Sequence, residues 1–225
     1  MASSVQRKRI RKSPADRRTE IVAAAASLAL IQGLECITLR RVSEQLDVRP
    51  GLISHYFPAV EDLVAEAFGD AATAELDALL PAERPDGTPL EHLARFFAHA
   101  AGRTYDDISR LWINARHLSR YRPVLRDRVG EQEAAWRGRL TGLIREGVER
   151  GEFHAADPEV AATQILVVID GLGAYVNTDI GPRPEAVSRM AAHTAERALG
   201  LGRGTLTPRD ATADASAPAP EPVTP

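Results

Sequence analysis

Thr38-Leu39-Arg40-Arg41-Val42-Ser43-Glu44-Gln45-Leu46-Asp47-Val48-Arg49-Pro50-Gly51-Leu52-Ile53-Ser54-His55-Tyr56-Phe57 is the stretch whose reading decides the fold. Thr38 is an N-cap by residue type. Behind it Leu39, Val42 and Leu46 recur at three and four, so a short helix turns one apolar face inward and sends Arg40, Arg41, Glu44 and Gln45 outward. Asp47-Val48 ends that helix, and Asp is one of the few side chains that tolerates left-handed backbone in a tight turn. Pro50 suits the first turn of a second helix, which stops at Phe57 because Pro58 disfavours helical geometry in the residue before it. Two short helices across such a turn have helix-turn-helix spacing, in which the second helix enters a DNA major groove.

Upstream, Ser13-Pro14-Ala15-Asp16 reads as a helix start, with Ser13 as N-cap, Pro14 in the first helical position and Asp16 closing a capping box. That helix runs to about Gln32 on the apolar positions Ile21, Ala25, Leu28 and Ile31, and Gly33 supplies the left-handed residue that ends it. Downstream, a longer amphipathic helix from Val60 carries Leu63, Val64, Ala67, Phe68, Ala71 and Leu76, with Glu61 and Asp62 where the helix dipole favours them. A loop over 81–89 follows. Helical periodicity returns over 90–105, around 108–118 and over 123–150, the last closed by Gly151. The segment from 158 to about 180 is apolar on most sides, and 184–199 is a final amphipathic helix. No strand pattern occurs, so the fold class is all-α.

The 225 residues, 44% hydrophobic and 26% charged, suffice for one large domain or two smaller ones and exclude disorder throughout. The single Cys36 excludes a disulfide within the chain and leaves no second thiol for a zinc site, which fits a reducing, cytoplasmic setting. Arg7 to Lys12 and Arg17-Arg18 precede an apolar run, as they would in a secretory or twin-arginine signal. Asp16 and Glu20 crowd that run, no small-x-small cleavage site follows, and no stretch approaches the ~20 apolar residues of a membrane span. No membrane partner is therefore expected. The net charge of −3 hides a polarity: residues 1–59 carry ten basic and five acidic side chains, so the excess of acid lies entirely beyond them. One end suits an anionic polymer. After Gly202 the chain is mostly Thr, Ala, Pro, Asp and Glu, a composition that cannot bury enough surface to offset its ordering entropy. The expected organisation is a flexible basic arm over 1–13, a three-helix helix-turn-helix domain over 14–59, a second helical domain over 60–202 and a disordered tail over 203–225.

Over residues 15–70 the chain resembles the TetR family of bacterial repressors, whose pattern places Thr at the second-helix start, Val after the turn, Gly near the third-helix start and an aromatic-rich ending. The variant Ile53-Ser54-His55-Tyr56-Phe57, with Ile169-Asp170-Gly171-Leu172 far downstream, is similar to the branch that contains the repressor of choline-to-betaine genes. Three positions depart from the family: its turn glycine is Asp47 here, its N-cap serine is Arg49, and its lysine after the aromatic residues is Val60. The last removes a phosphate contact, for which the basic arm is the candidate replacement.

The resemblance implies double-stranded DNA as partner, a palindromic operator, a small-molecule inducer and a C-terminal ligand-binding and dimerisation domain. Pro50, Gly51, Leu52, Ser54 and His55 would face the major groove, with Gly51 permitting close backbone approach, while Ile53 and Phe57 pack inward against Leu28, Val42 and Leu46. Thr38 and Tyr56 would hold phosphates, Arg49 and His55 would read bases, and Arg40 is a further DNA candidate. One helix-turn-helix reads a short half-site, so two-fold dimers gain by engaging two half-sites about 34 Å apart. The homodimer would pair Val167, Val168, Gly171, Leu172 and Tyr175 with Val187, Met190 and Thr194 of the last helix; the alternative is that both helices close the monomer core. For the inducer, Phe96, His99, Tyr105, Trp112, His117 and Trp136 are the candidates, and their aromatic rings would suit a quaternary ammonium.

Three rival readings stand beside this one. His92 and His99 lie seven apart on one helical face with Phe96 between them, and a metal joining them to His117 would make a metal-dependent hydrolase-like enzyme. Two turns separate those imidazoles, and neither a nucleophile elbow nor a phosphate loop occurs, so neither an enzyme nor a cofactor is expected. A DNA-coating protein without sequence preference is the second rival, against which the acidic C-terminal part argues. Activation instead of repression is the third.

Overall fold

The computed structural model describes residues 12–84, 86–100, 104–178 and 184–207, with backbone alone at 100, 104–106 and 176. Most of the arm, residues 1–11, and the tail beyond 207 lie outside the described residues. Among the described residues all regular structure is helical. Helix α1 (Pro14–Gln32) starts on the capping box: the Asp16 N–H donates to Ser13 Oγ at 3.1 Å, and the Ser13 N–H donates to Asp16 Oδ2 at 3.4 Å. Gly33 ends it at φ 90°, but with ψ 160° in place of the expected left-handed turn, an extended geometry open essentially to glycine alone. A 3-10 turn, Leu34–Cys36, follows, too short for periodicity to register. Helices α2 (Leu39–Gln45) and α3 (Pro50–Tyr56) flank a turn in which Asp47 takes φ 51°, the one positive φ outside glycine among the described residues. The left-handed aspartate expected from the sequence is thus present.

The chain continues as α4 (Val60–Leu79), α5 (Pro89–Ala100), α6 (Thr104–Ser119), α7 (Pro123–Glu149), α8 (Pro158–Thr178), α9 (Glu185–Ser188) and α10 (Met190–Ala198). The single final helix expected over 184–199 is broken at Arg189, where φ is −90° and ψ 0°, and the Arg189 N–H closes the short piece on the Glu185 carbonyl at 3.0 Å.

Two compact units result. One holds α1 to α4, α6 and the first part of α7; the other holds α5, the rest of α7 and α8 to α10. In the first, Ile21, Ala25 and Ala29 of α1 are buried together with Val42, Ile53, Phe57, Leu63 and Phe68. Ile31 does not join them. It is 76% exposed, because two residues beyond Ala29 the helix has turned by about 200° and points away from the core.

In the second unit, Leu93 and Phe96 of α5, Leu140 and Ile144 of α7, Ile165 and Ile169 of α8 and Ala195 of α10 form the core. Gly151 turns the chain at φ 74°, and Phe153 folds back over α7 so closely that a Cβ on Gly147 would sit 2.1 Å from its ring. Gly147→Ala is therefore expected to cost about 1–3 kcal/mol by overpacking, less the few tenths to 1 kcal/mol that alanine gains in a helix. Urea denaturation measures it; unchanged or increased stability would mean the ring has room to move.

The described residues also pass Gly202, where composition places the start of the tail. Leu206 is 1% exposed, and its N–H donates to the buried Glu196 carboxylate at 2.9 Å. Composition averaged over a tail does not register one leucine with a helix groove to fill.

Candidate nucleic-acid interface

The α2–α3 pair presents one well-defined set of side chains. Ile53 on α3 and Phe57, its C-cap one turn later, are buried, whereas Arg49, Pro50, Gly51, Ser54 and His55 are exposed and Leu52 and Tyr56 half-buried. The helix is thus anchored by one edge only. Arg49 precedes α3 and makes no side-chain cap bond, so its guanidinium is not spent on holding the helix. Ser54 Oγ donates to the Gly51 carbonyl at 3.3 Å, and the His55 ring stands edge-on to Tyr56 with centroids 5.4 Å apart. A Cβ built on Gly51 meets no atom within 4 Å, so nothing inside the protein requires glycine there.

Thr38 caps α2 by accepting the Arg41 N–H at 3.2 Å, an arrangement that uses a lone pair of its hydroxyl and leaves the O–H to donate outward. Arg40 is exposed but ion-paired to Glu44 at 2.7 Å, and Glu44 holds its already high pKa higher still through the hydrogen bond and then the charge. A phosphate would have to compete with Glu44 for it. Of the arm, Lys12 pairs with Glu20 at 2.7 Å, where Arg17 joins it at 2.6 Å.

Arg18 makes contacts that sequence reasoning missed. It counts there only as half of a basic pair, yet its guanidinium lies 4.2 Å above the ring of Phe57, the C-cap of α3, and ion-pairs with Glu66 of α4. Its partners lie 39 and 48 residues away, beyond any local pattern. The same arginine lines a cleft of about 390 Å³ that also carries Glu66, Asp70 and Arg128. Opposite charges balance there, unlike the apolar wall of an ordinary ligand pocket.

The inducer candidates occupy different surroundings. Phe96 is buried against Phe97, with centroids 5.0 Å apart, and Trp136 is buried in α7. Trp112 is buried too: Phe68 meets it edge-on at 5.0 Å, Arg116 covers its ring at 5.0 Å, and its indole N–H donates to Glu75 at 2.8 Å. His99 and His117 are exposed; the His99 ring bonds the Arg95 carbonyl through Nδ1 at 2.8 Å, and His117 stands against Tyr121. The Tyr105 side chain lies outside the described residues. Arg95 donates to His92 Nδ1 at 2.7 Å, and burial, reinforced by the positive charges of Arg95 and Arg84, pushes the His92 imidazole below its usual pKa. Among the described residues no three or more His, Cys, Asp or Glu side chains gather as metal ligands.

Of the dimerisation candidates, Val167, Tyr175 and Met190 are 63%, 43% and 45% exposed, Gly171 is exposed, and Val168, Leu172, Val187 and Thr194 are half-buried. Within one chain α8 and α10 pack against each other. They leave Val167, Gly171, Tyr175 and Met190 exposed on that unit.

Residues 90–201 match the family described as BetI-type transcriptional repressor, C-terminal. No curated protein matches the chain. Among solved structures, a protein from Rhodococcus sp. assigned to the TetR-family regulators superposes with a TM-score of 0.66 at 20% identity, over 81% of this chain and 96% of the other. A regulator from Saccharomonospora viridis, solved in complex with choline, gives 0.66 at 24% identity over 81% and 95%. FadR from Bacillus subtilis, solved with stearoyl-CoA, gives 0.60 at 20% identity over 80% and 97%. Among the described residues no helix is long and apolar enough to cross a membrane.

Proposed function

We propose that this chain, which has the fold of TetR-family transcriptional regulators and over residues 90–201 matches their BetI-type C-terminal domain, is a homodimeric repressor acting in the cytoplasm. It binds a palindromic operator in double-stranded DNA and is released by a small molecule. The observation that carries the reading is α3: one edge is buried through Ile53 and Phe57, while Arg49, Pro50, Gly51, Ser54 and His55 are exposed and available to a partner. A helix of that construction has the dimensions of a major groove, and Arg49 and His55 supply donors for base edges there. Thr38 and Tyr56 contact phosphates and set the register without reading sequence.

Release follows from linkage. A ligand that prefers the conformation with badly spaced recognition helices weakens DNA binding by that same preference. The neighbours solved with choline and with stearoyl-CoA make both compounds sensible first probes. A quaternary ammonium would be held by aromatic faces.

The test is fluorescence anisotropy of the full chain on a palindrome selected from random-sequence DNA, against scrambled DNA, from about 50 to 200 mM salt. A preference of ~10³ or more supports a specific reader. Equal, salt-labile binding to both would instead identify a protein that coats DNA.

Gly51→Ala separates groove contact from folding. The substitution should raise stability by up to about 1 kcal/mol, since alanine is the better helix former and its methyl meets no atom of the protein. It should at the same time weaken operator binding about tenfold, because the methyl stands where DNA must approach. Thermal melting and anisotropy on one preparation give both numbers, and unchanged affinity would mean that α3 does not come close to the bases at Gly51.

A further inference from the structure

Asn114, half-buried on α6, has its whole carboxamide engaged with the 3-10 turn that leads into α2. Its Oδ1 accepts the Leu34 N–H at 2.8 Å, and its Nδ2 donates to the two carboxylate oxygens of Glu35 at 2.9 and 2.8 Å. Leu34 opens the turn, so its N–H is one of the donors that a helical start leaves without a partner in its own segment. A side chain 80 residues along the chain supplies the cap. A carboxamide meets both demands with separate atoms, whereas an ionised carboxylate has no proton to donate and would repel Glu35.

The turn is tied to the elements on either side of it. Leu34 and Ile37 are 0% and 3% exposed, and Cys36 between them offers its carbonyl to Arg41 Nη1 at 3.4 Å. Arg41, on α2, also donates to Gln32 Oε1 at the end of α1, and its N–H donates to Thr38 Oγ. Hydrogen bonds on both sides of the turn therefore link α6, through the backbone of the turn, to α2, ending at Thr38, a proposed phosphate contact.

We propose that Asn114 is a positioning residue for DNA recognition, the point at which α6 grips the helix-turn-helix and sets the orientation of α2. This rests on the repressor reading and names one place where regulation would enter it. A shift of α6 withdraws the cap from Leu34 and the donor from Glu35 together, and α2 loses its reference point.

Two measurements on the full chain test it. By amide hydrogen exchange, Asn114→Ala should speed exchange at Leu34 and also, by about tenfold, at Val42 and Leu46 of the α2 region, with α10 amides unchanged as an internal control. Glu35→Ala, at an exposed position outside the core, should give an intermediate effect because the bond from Leu34 survives. On DNA, the probe is the selected palindrome and the same palindrome with its half-sites moved apart by one base pair. Asn114→Ala should lower the ratio of the two affinities at least about fivefold. Faster exchange confined to Leu34 in Asn114→Ala, or an unchanged α2 region in Glu35→Ala where Asn114→Ala does not fold, overturns the proposal. So does an equal loss of affinity on both DNAs. If the wild type prefers no DNA sequence, the repressor reading falls, while exchange at Val42 and Leu46 still decides whether Asn114 holds α2.

Discussion

Val167→Arg should convert the protein to a folded monomer whose operator affinity is roughly 10²- to 10⁴-fold lower, because two half-sites are then no longer held by one particle. The argument begins on α8. Ala161, Ala162, Ile165 and Ile169 are buried within their own unit, while Val160, Val167 and Tyr175, on another side of the same helix, are 51%, 63% and 43% exposed. A helix that is apolar on two sides has satisfied one of them within the chain. Met190 at 45% exposure extends the uncovered side onto the last helices, and Gly171 adds a place where a Cβ would meet no atom of this chain. A two-fold interface counts every substitution twice, so one arginine per chain brings two uncompensated charges into the contact. Position 167 is mostly solvent-exposed in the single chain, so the arginine leaves the monomer's core intact. Sedimentation equilibrium, a melting curve and anisotropy together read the outcome. A persistent dimer would place the interface elsewhere.

Arg49→Ala with His55→Ala should weaken binding to the selected palindrome by roughly 10²- to 10³-fold, each base contact being worth about 1–3 kcal/mol. Binding to scrambled DNA should change far less, because phosphate contacts elsewhere supply it. Both residues are exposed, Arg49 makes no cap bond, and the His55 ring stands edge-on against Tyr56, so the melting temperature should move little. Equal losses on both DNAs would mean that these side chains hold phosphate and that specificity comes from DNA shape.

The local features of the reading region were legible in advance because each is carried by residues within four of one another. Ser13 and Asp16 cap each other, Thr38 caps α2, Asp47 takes the left-handed turn, and Ile53 and Phe57 are buried one turn apart. A three- or four-residue rule suffices for each. That rule fails where neighbours along the chain compete. Ile31 continues the apolar spacing of α1 but points to solvent, since Ala29 and the buried Leu34 already meet the core at that end.

What the sequence by itself determined is the all-helical class, most helix limits and the outward face of α3, because backbone sterics, capping and helical period act over a single turn. What only the tertiary structure decided is where the polar tips of partly buried side chains go. Trp112 has the makings of a ligand wall in the sequence, and in the fold its indole N–H is taken by Glu75, 37 residues away, with Arg116 over its ring. Asn114 carries no signal at all in the sequence and caps a turn 80 residues back; Leu206, in a tail by composition, seals its own unit beside Glu196. The physical reason is common to all three: a buried polar group must find a partner, and which partner is within about 3 Å depends on how helix faces meet, which no spacing along the chain encodes.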